Sequence, residues 1–227
     1  MANHNNNEIL SASAVEDEIR LATIEKREIN FIGKRLSGLS LQNRVVEQTI
    51  NLDRAKILGT VSLEKSTLKK DIRLNDAEIK NGSFYLGESQ VNGNLELSNL
   101  KIKGGINLVE GRIIGSVNLE GAKIEGFVSL SKAQIGQNVI LKNVVIRDAY
   151  QAGLIIKGDV YLRKAVVLGT LDISNTSIEG TLDIMQIFVG GDVVLEKTKI
   201  NNFLICKKAI VKGAFNLEQA SYKEIIN

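Results

Sequence analysis

Apolar residues recur along this sequence at an interval of about eleven residues, and this recurrence restricts the folds that the chain can adopt. Nineteen triplets of the form apolar–any–apolar begin at Ile19, Ile29, Leu39, Ile50, Val61, Ile72, Phe84, Leu95, Ile106, Val117, Val128, Val139, Tyr150, Val160, Leu171, Leu182, Val193, Leu204 and Phe215. The step is ten residues for the first two intervals, twelve near Gly82 and ten near Gly153. Apolar residues two apart indicate strands, because helices place them three and four apart.

The repeat is clearest in residues 113–123 (IIGSVNLEGAK) and 124–134 (IEGFVSLSKAQ), which we number from their leading Ile. Positions 5 and 7 are apolar and should face inward, whereas position 6 is mostly polar and should face outward. Position 3 is usually Gly, which permits a corner, and position 10 is usually small. One repeat cannot bury its apolar face alone, but stacked repeats can, with strands about 4.8 Å apart. The sequence therefore predicts an all-β, parallel β-helix (solenoid).

These two stretches resemble the pentapeptide-repeat proteins, in the variant that runs A-x-F-x-G-x-A-x-F with period eleven. Ile, Val or Leu stands where that variant favours Phe, and the resemblance covers nearly the whole chain. It implies a right-handed, four-sided β-helix with about two repeats per coil. Position 5 is mostly Val, Leu or Ile instead of Ala, which leaves a three-sided coil open. A looser Ile-x-Gly-x-Val pattern is similar to the bactofilins, which are polymerising right-handed β-helices.

The sequence suggests four segments. We expect a polar, disordered tail over residues 1–13, an N-terminal cap over 14–24, the β-helix over 25–221 and a C-terminal cap or tail over 222–227. Ser13 and Glu16 fit a helix capping box, with Val15, Ile19 and Ala22 along one side of a short helix. The alternative is that residues 19–21 form the first strand. The weak repeat at 148–153 predicts an irregular loop.

Composition excludes several classes of function. The net charge is +3, from 29 basic and 26 acidic residues, so neither a dedicated nucleic-acid binder nor an acidic mimic of DNA is expected. Cys206 and His4 are the only residues of their types, which predicts no disulfide, metal, cofactor or nucleophilic Cys–His site. We expect Cys206, at position 7, to be buried in the core. No apolar run reaches the roughly 20 residues of a membrane span, and MANHNNNEIL does not read as a secretory signal, so a cytoplasmic protein is expected.

An apolar set at outward positions predicts a binding surface. Position 11 of every second repeat reads Lys56, Glu78, Lys101, Lys123, Val145, Val166, Phe188 and Ile210. The second half of this column is apolar, and the residues predicted to form an interface are Val145, Val166, Phe188, Ile210, Ile140, Tyr161, Ile205 and Met185. The basic residues of the first half could meet phosphates, although Glu78 interrupts them and a solvated face explains them more simply.

At positions 4 and 6 no pair of carboxylates appears at the 22-residue spacing of one coil, so the sequence predicts no enzyme. Asp172 and Asp183 both occupy position 6, but adjacent repeats should lie on different faces. The favoured function is a non-catalytic scaffold that binds protein and self-associates, as a dimer or by end-to-end stacking. The alternatives are a topoisomerase-protecting DNA mimic, as in some pentapeptide-repeat proteins, and a bactofilin-like cytoskeletal filament.

Overall fold

The chain winds into a right-handed parallel β-solenoid of about ten turns, in a computed structural model that describes residues 8–151 and 154–227. Four parallel sheets run along the solenoid, so each turn has four walls and the open question of three or four sides is resolved. We number the walls 1 to 4 in the order in which the chain visits them, beginning at Ile29. The predicted fold class is confirmed.

Walls 1 and 3 are built from the apolar triplets. Wall 1 contains the strands Ile29–Asn30, Ile50–Asn51, Ile72–Arg73, Leu95–Glu96, Val117–Asn118, Val139–Ile140, Leu171–Asp172, Val193–Val194 and Phe215–Asn216. Wall 3 contains Leu39–Ser40, Val61–Ser62, Phe84–Tyr85, Ile106–Asn107, Val128–Ser129, Val160–Tyr161, Leu182–Asp183, Phe203–Ile205 and Glu224–Ile226. Successive triplets alternate between these opposite walls, so two repeats make one coil.

Walls 2 and 4 are built from position 11 of one repeat and position 1 of the next. Wall 2 contains Ile9–Leu10, Arg35–Leu36, Lys56–Ile57, Glu78–Ile79, Lys101–Lys103, Lys123–Glu125, Val145–Arg147, Ser177–Ile178 and Lys199–Ile200. Wall 4 contains Val45–Val46, Thr67–Leu68, Gln90–Val91, Arg112–Ile113, Gln134–Ile135, Val166–Val167, Phe188–Val189 and Ile210–Val211. Position 11 points outward and position 1 inward on both walls.

The core is one continuous column of aliphatic side chains. Positions 1, 5 and 7 supply it, as shown by Ile106, Leu108 and Ile113, which are almost completely buried. Each such side chain contributes roughly 1.5–3 kcal/mol when it leaves water. Parallel, in-register pairing places equivalent residues of successive coils in contact, for example Leu95 above Val117. The core therefore grows by one layer per coil.

A β-turn with a left-handed residue follows every triplet on walls 1 and 3, and the sequence analysis missed it. Position 9 occupies the third place of this turn: Asn143, Lys164 and Asn175 have φ of +58°, +59° and +53°. The turn closes through a backbone hydrogen bond, such as Ala165 N to Leu162 O at 3.0 Å. Position 6 supports it when Asn or Asp stands there, since Asn118 Oδ1 accepts the N–H of Glu120 at 3.0 Å.

The N-terminal segment is a helix, which resolves the two alternatives for residues 14–24. The helix Ala12–Ile24 buries Val15, Ile19 and Ala22 against the core, so Ile19 does not begin a strand. Its N-cap is Ser11, whose Oγ accepts the Ala14 N–H at 3.2 Å, so the predicted cap at Ser13 was wrong. The strand Ile9–Leu10 pairs with Arg35–Leu36, which differs from the disordered tail expected over 1–13. Residues 1–7, including His4, lie outside the described residues.

A hairpin interrupts the solenoid between walls 2 and 3. Its strands Ala149–Gln151 and Leu154–Ile156 pair antiparallel, so Tyr150 does not begin a repeat. Asp148 holds the base of the hairpin, because it accepts the Gly158 N–H at 2.8 Å and pairs with Lys157 at 2.9 Å. The hydrogen bond from Gly158 is the main reason that the pKa of Asp148 is lowered. The irregular loop predicted at 148–153 is thus a hairpin, with 152–153 outside the described residues.

The last described strand belongs to the solenoid. Glu224–Ile226 pairs with Phe203–Ile205 on wall 3, within the segment 222–227 that was expected to be a cap or tail. No other described residue lies beyond this coil. As a result Leu217, Tyr222 and Ile225 are only half-buried, although they point into the column.

The left-handed turn generates a stability prediction at Lys164, whose exposed side chain makes no hydrogen bond or ion pair within the described part of the chain. The substitution Lys164→Val should lower the free energy of unfolding by about 1–2 kcal/mol, because a β-branched side chain is strained at positive φ. Denaturant unfolding would measure this change. The matched variant Lys164→Gly should lie within about 1 kcal/mol of the unmodified protein; equal losses in both variants would contradict the argument.

Candidate functional site

The residues predicted to form one interface lie on several walls. Val166, Phe188 and Ile210 share wall 4, whereas Val145 lies on wall 2 above Lys123. The remaining four lie elsewhere: Ile140 on wall 1, Tyr161 and Ile205 on wall 3, and Met185 in the turn after wall 3. The single column assumed from the sequence was therefore wrong, although part of it is contiguous.

The hairpin explains this error. It adds about ten residues without adding a wall strand, so Val139 pairs with Leu171, 32 residues later, instead of the usual 22 or so. Counting Tyr150 as a repeat shifts every later residue by one half-coil. Val145 is consequently followed on wall 2 by Ser177, and Val166 stacks on Gln134 of wall 4.

Wall 4 carries an exposed apolar ladder in its C-terminal half. Val166, Phe188 and Ile210 occupy the same outward position on three successive strands. Ile210 is 54% exposed, Val166 and Phe188 are half-buried, and Leu168 beside them is 58% exposed. We call Val166, Leu168, Phe188 and Ile210 the wall 4 ladder. Apolar side chains in contact with solvent along one line favour a contact with another molecule.

The same wall is polar closer to the N-terminus. After the exposed Val45, the outward column continues with Thr67, Gln90, Arg112 and Gln134. A shallow cavity of about 390 Å³ lies where the two halves meet, lined in part by Ile114, Gln134 and Leu168. Ile114 and Leu168 were missed from the sequence, although both stand at position 2, which is outward next to position 1.

The hairpin presents a second apolar surface at the corner between walls 2 and 3. Tyr150, Leu154 and Ile155 are all exposed, with Tyr150 at 79%. Their positions lie across the solenoid from wall 4, so this surface is separate from the ladder.

Wall 3 holds a cluster of ionisable side chains that the sequence analysis did not assemble. Asp159 accepts a hydrogen bond from the Tyr161 hydroxyl at 2.6 Å, and Asp183 accepts two from Arg163, at 2.6 and 3.0 Å. Their other oxygens accept backbone N–H groups of Thr181 and Met185. Tyr161 and Asp183 are stacked at position 6 of successive coils. Their 22-residue spacing was a sequence signal for the cluster, but a search for pairs of carboxylates does not detect it.

This cluster is structural in its geometry. Asp183 is nearly fully buried, although position 6 was expected to face solvent, because Arg163 lies over it. Each of the four carboxylate oxygens of Asp159 and Asp183 accepts a hydrogen bond, so the two side chains link neighbouring parts of the wall. Asp172 lies on wall 1, opposite Asp183, as the sequence predicted. Burial, followed by the hydrogen bond to Asp159, raises the pKa of Tyr161 to about 12.

Cys206 differs from its expected place in a dry core. It is only partly buried, because the last described coil is uncovered, and its thiol donates to Asn227 Oδ1 at 2.7 Å. Burial raises the pKa of the Cys206 thiol, which opposes the thiolate that a nucleophile requires. Within residues 8–151 and 154–227, no group of three or more His, Cys, Asp or Glu side chains has the arrangement of a metal site.

Comparison of the sequence with protein-family models finds no matching family, and comparison with curated proteins finds no match. The described residues include no helix with the length and apolarity that crossing a membrane requires. The arguments about function therefore depend on the geometry of the walls.

The wall 3 cluster predicts an unusual titration. Tyr161 should ionise near pH 12, above the ordinary value of about 10, in a titration followed by tyrosinate absorbance. The variant Asp159→Asn should lower this pKa, since it removes a carboxylate that accepts the phenol proton, but burial should keep the pKa above 10. Tyr161→Phe serves to assign the transition. The account fails if that variant leaves the highest tyrosine transition in place.

Proposed function

We propose that this protein is a non-catalytic scaffold, a rigid rod that binds protein and associates with a second copy of itself through the wall 4 ladder. The observation that carries the proposal is the run of Val166, Phe188 and Ile210 on three stacked strands, flanked by Leu168. These side chains do not pack in the core, because position 11 faces away from it.

The shape of the ladder suits a symmetric contact. Adjacent strands are about 4.8 Å apart, so the three outward residues form a straight apolar line along the rod, roughly 10 Å in length. A twofold axis that lies in the plane of the interface and runs perpendicular to the rod places this line against its own copy, which satisfies the requirement that a twofold interface be self-complementary. Covering these side chains removes apolar surface from water, which stabilises the dimer by about 25 cal/mol for each Å² that is buried.

Contact through the end of the rod is a second candidate, and a specific observation favours it. Phe215, Leu217 and Ile225 point along the column of the last described coil, and Phe215 is 37% exposed. The strands Phe215–Asn216 and Glu224–Ile226 also have one edge without a described partner. Apolar ends and free strand edges are the features through which solenoids stack, and stacking would produce filaments.

A DNA-mimicking role receives no comparable support. Such a role requires rows of carboxylates, whereas outward columns of this rod mix both charges and the net charge is +3. Wall 2 carries Lys101 and Lys123 on adjacent strands. A surface that binds a DNA mimic is positively charged, so these two residues would repel it.

The wall 4 proposal is tested with the double variant Val166→Lys and Phe188→Lys. The unmodified protein should change from monomer to dimer as its concentration rises, and the variant should stay monomeric, because two ammonium groups replace the centre of the ladder. Size-exclusion chromatography with light scattering gives the mass at each concentration. A variant that dimerises like the unmodified protein, or an unmodified protein that remains monomeric throughout, would exclude this interface.

A matched control is available on the same wall. Thr67→Lys with Gln90→Lys introduces the same charge at the same outward position, three and four coils away from Val166. This control should dimerise normally. All three proteins should show the same β-sheet circular dichroism, since Lys already stands at position 11 at Lys56 and Lys199 on wall 2.

End-to-end stacking predicts a different dependence on concentration. Filaments visible by negative-stain electron microscopy would lengthen with concentration and would disappear in Phe215→Asp, because the carboxylate would be buried at the junction between rods. The double variant on wall 4 should leave such filaments unchanged. Particles of rod size at all concentrations in the unmodified protein would eliminate this second candidate.

A further inference from the structure

A groove on wall 2 gathers cations that have no side-chain partner among residues 8–151 and 154–227. It has a volume of about 370 Å³ and contains Lys80, Lys101, Lys103, Lys123 and Arg147. Its other lining residues are Glu78, Ile79, Ile102, Ile124, Glu125 and Val145. We call this set the wall 2 groove.

The five cations make no ion pair or side-chain hydrogen bond with any described residue. Ion pairs do form elsewhere among the described residues, for example between Lys132 and Glu110 at 2.6 Å, whereas these five cations are available to a ligand. With Glu78 and Glu125 included, the groove carries five positive and two negative charges, a net charge of +3.

The local backbone extends the wall at this point. Three successive strands of wall 2, Lys101–Lys103, Lys123–Glu125 and Val145–Arg147, have three residues, whereas the other strands of that wall have two. Gly104 and Gly126, with φ of +157° and +143°, follow the first two. A side chain at Gly104 would lie 2.3 Å from the Gly82 carbonyl oxygen, so only glycine fits. The longer strands add a second outward column, which holds Lys103, Glu125 and Arg147.

One pair of like charges is stacked directly in the groove, while Glu78 and Glu125 stand beside the other cations of its two outward columns. Lys101 and Lys123 are register partners on adjacent strands, and Lys80 follows the strand that pairs with Lys101–Lys103. Like charges in such neighbouring positions repel and disfavour the fold. A bound anion between the ammonium groups would remove this repulsion, whereas the nearby Glu78 and Glu125 do not approach within ion-pairing distance of them.

We propose that the wall 2 groove binds a short chain of phosphoanhydride-linked phosphates, either inorganic tripolyphosphate or the triphosphate of a nucleotide. Lysine side chains on adjacent strands leave the backbone about 4.8 Å apart, and those of Lys101 and Lys103 leave it about 7 Å apart. This spacing suits a compact multivalent anion. Lysine is an established phosphate ligand as a point charge. The volume lies within the range of about 300–1,000 Å³ typical of small-molecule sites.

The limits of the groove favour a small ligand over a polymer. The next residues along wall 2 are Ser177 and Glu179, which do not continue the cationic surface, and on the other side Glu78 separates Lys101 from Lys56 in the same column. A nucleic acid or an acidic polypeptide would need a longer basic track. Val145 is half-buried at the rim and offers an apolar contact to a nucleoside.

Isothermal titration calorimetry of the full chain tests the proposal with sodium tripolyphosphate, ATP, a single-stranded oligonucleotide and poly-glutamate at one ionic strength. Saturable one-to-one binding of tripolyphosphate supports it, and ATP binding more tightly than tripolyphosphate identifies a nucleotide as the source of the phosphates. Tripolyphosphate binding with no ATP binding identifies an inorganic polyphosphate. Failure of both to saturate at millimolar concentration, or binding of only the oligonucleotide or poly-glutamate, overturns the proposal.

Two double variants separate a defined site from general attraction between charges. Lys101→Gln with Lys123→Gln should weaken tripolyphosphate binding at least tenfold. Lys56→Gln with Lys199→Gln removes the same charge from the same outward column outside the groove and should change the affinity less than twofold. Equal weakening in the two variants would overturn the proposal. The wall 4 variant Val166→Lys with Phe188→Lys should bind normally, so this result is independent of self-association.

Discussion

The structure depends on the burial of aliphatic side chains that return every half-coil. No single coil can hide them, because the column is open above and below each layer, and only the neighbouring coils close it. Parallel in-register pairing follows from this requirement, since it places Leu95 on Val117 and Val117 on Val139. The helix Ala12–Ile24 meets the same need at the first coil, where Val15, Ile19 and Ala22 replace a missing layer.

Because inward positions are committed to the column, the outward columns are free to vary and are the places where function can be located. The two surfaces of interest differ in what they offer. The wall 4 ladder is apolar and lacks charge, which suits another protein surface. The wall 2 groove is cationic and enclosed on several sides, which suits a small anion. They lie on opposite walls, so a rod could use both at once.

The eleven-residue spacing was sufficient to predict the solenoid and its parallel strands, because both depend on side-chain alternation. The two repeats per coil were implied only by the resemblance to the pentapeptide-repeat proteins. The left-handed turn after each triplet was not predicted, since Lys65, Glu88 and Gln186 all occupy its positive-φ position and none of these residue types marks positive φ. The ladder was only partly predicted: Tyr150 matches the triplet pattern yet belongs to a hairpin, and no local signal distinguishes the two. The wall 2 groove could not be predicted from the sequence, because it depends on where three neighbouring strands of that wall end.

Each coil is bonded only to the coil above and the coil below it, through strands of two or three residues on four walls. Tension along the axis of the rod therefore loads all four short strands of one layer together, with no strand that crosses several layers to share the force. Under such a load the rod should unravel in single steps, each one releasing a coil of about 22 residues and up to about 75 Å of chain. A force–extension record of this protein should show a series of equal steps, with one longer step where the hairpin adds its ten residues.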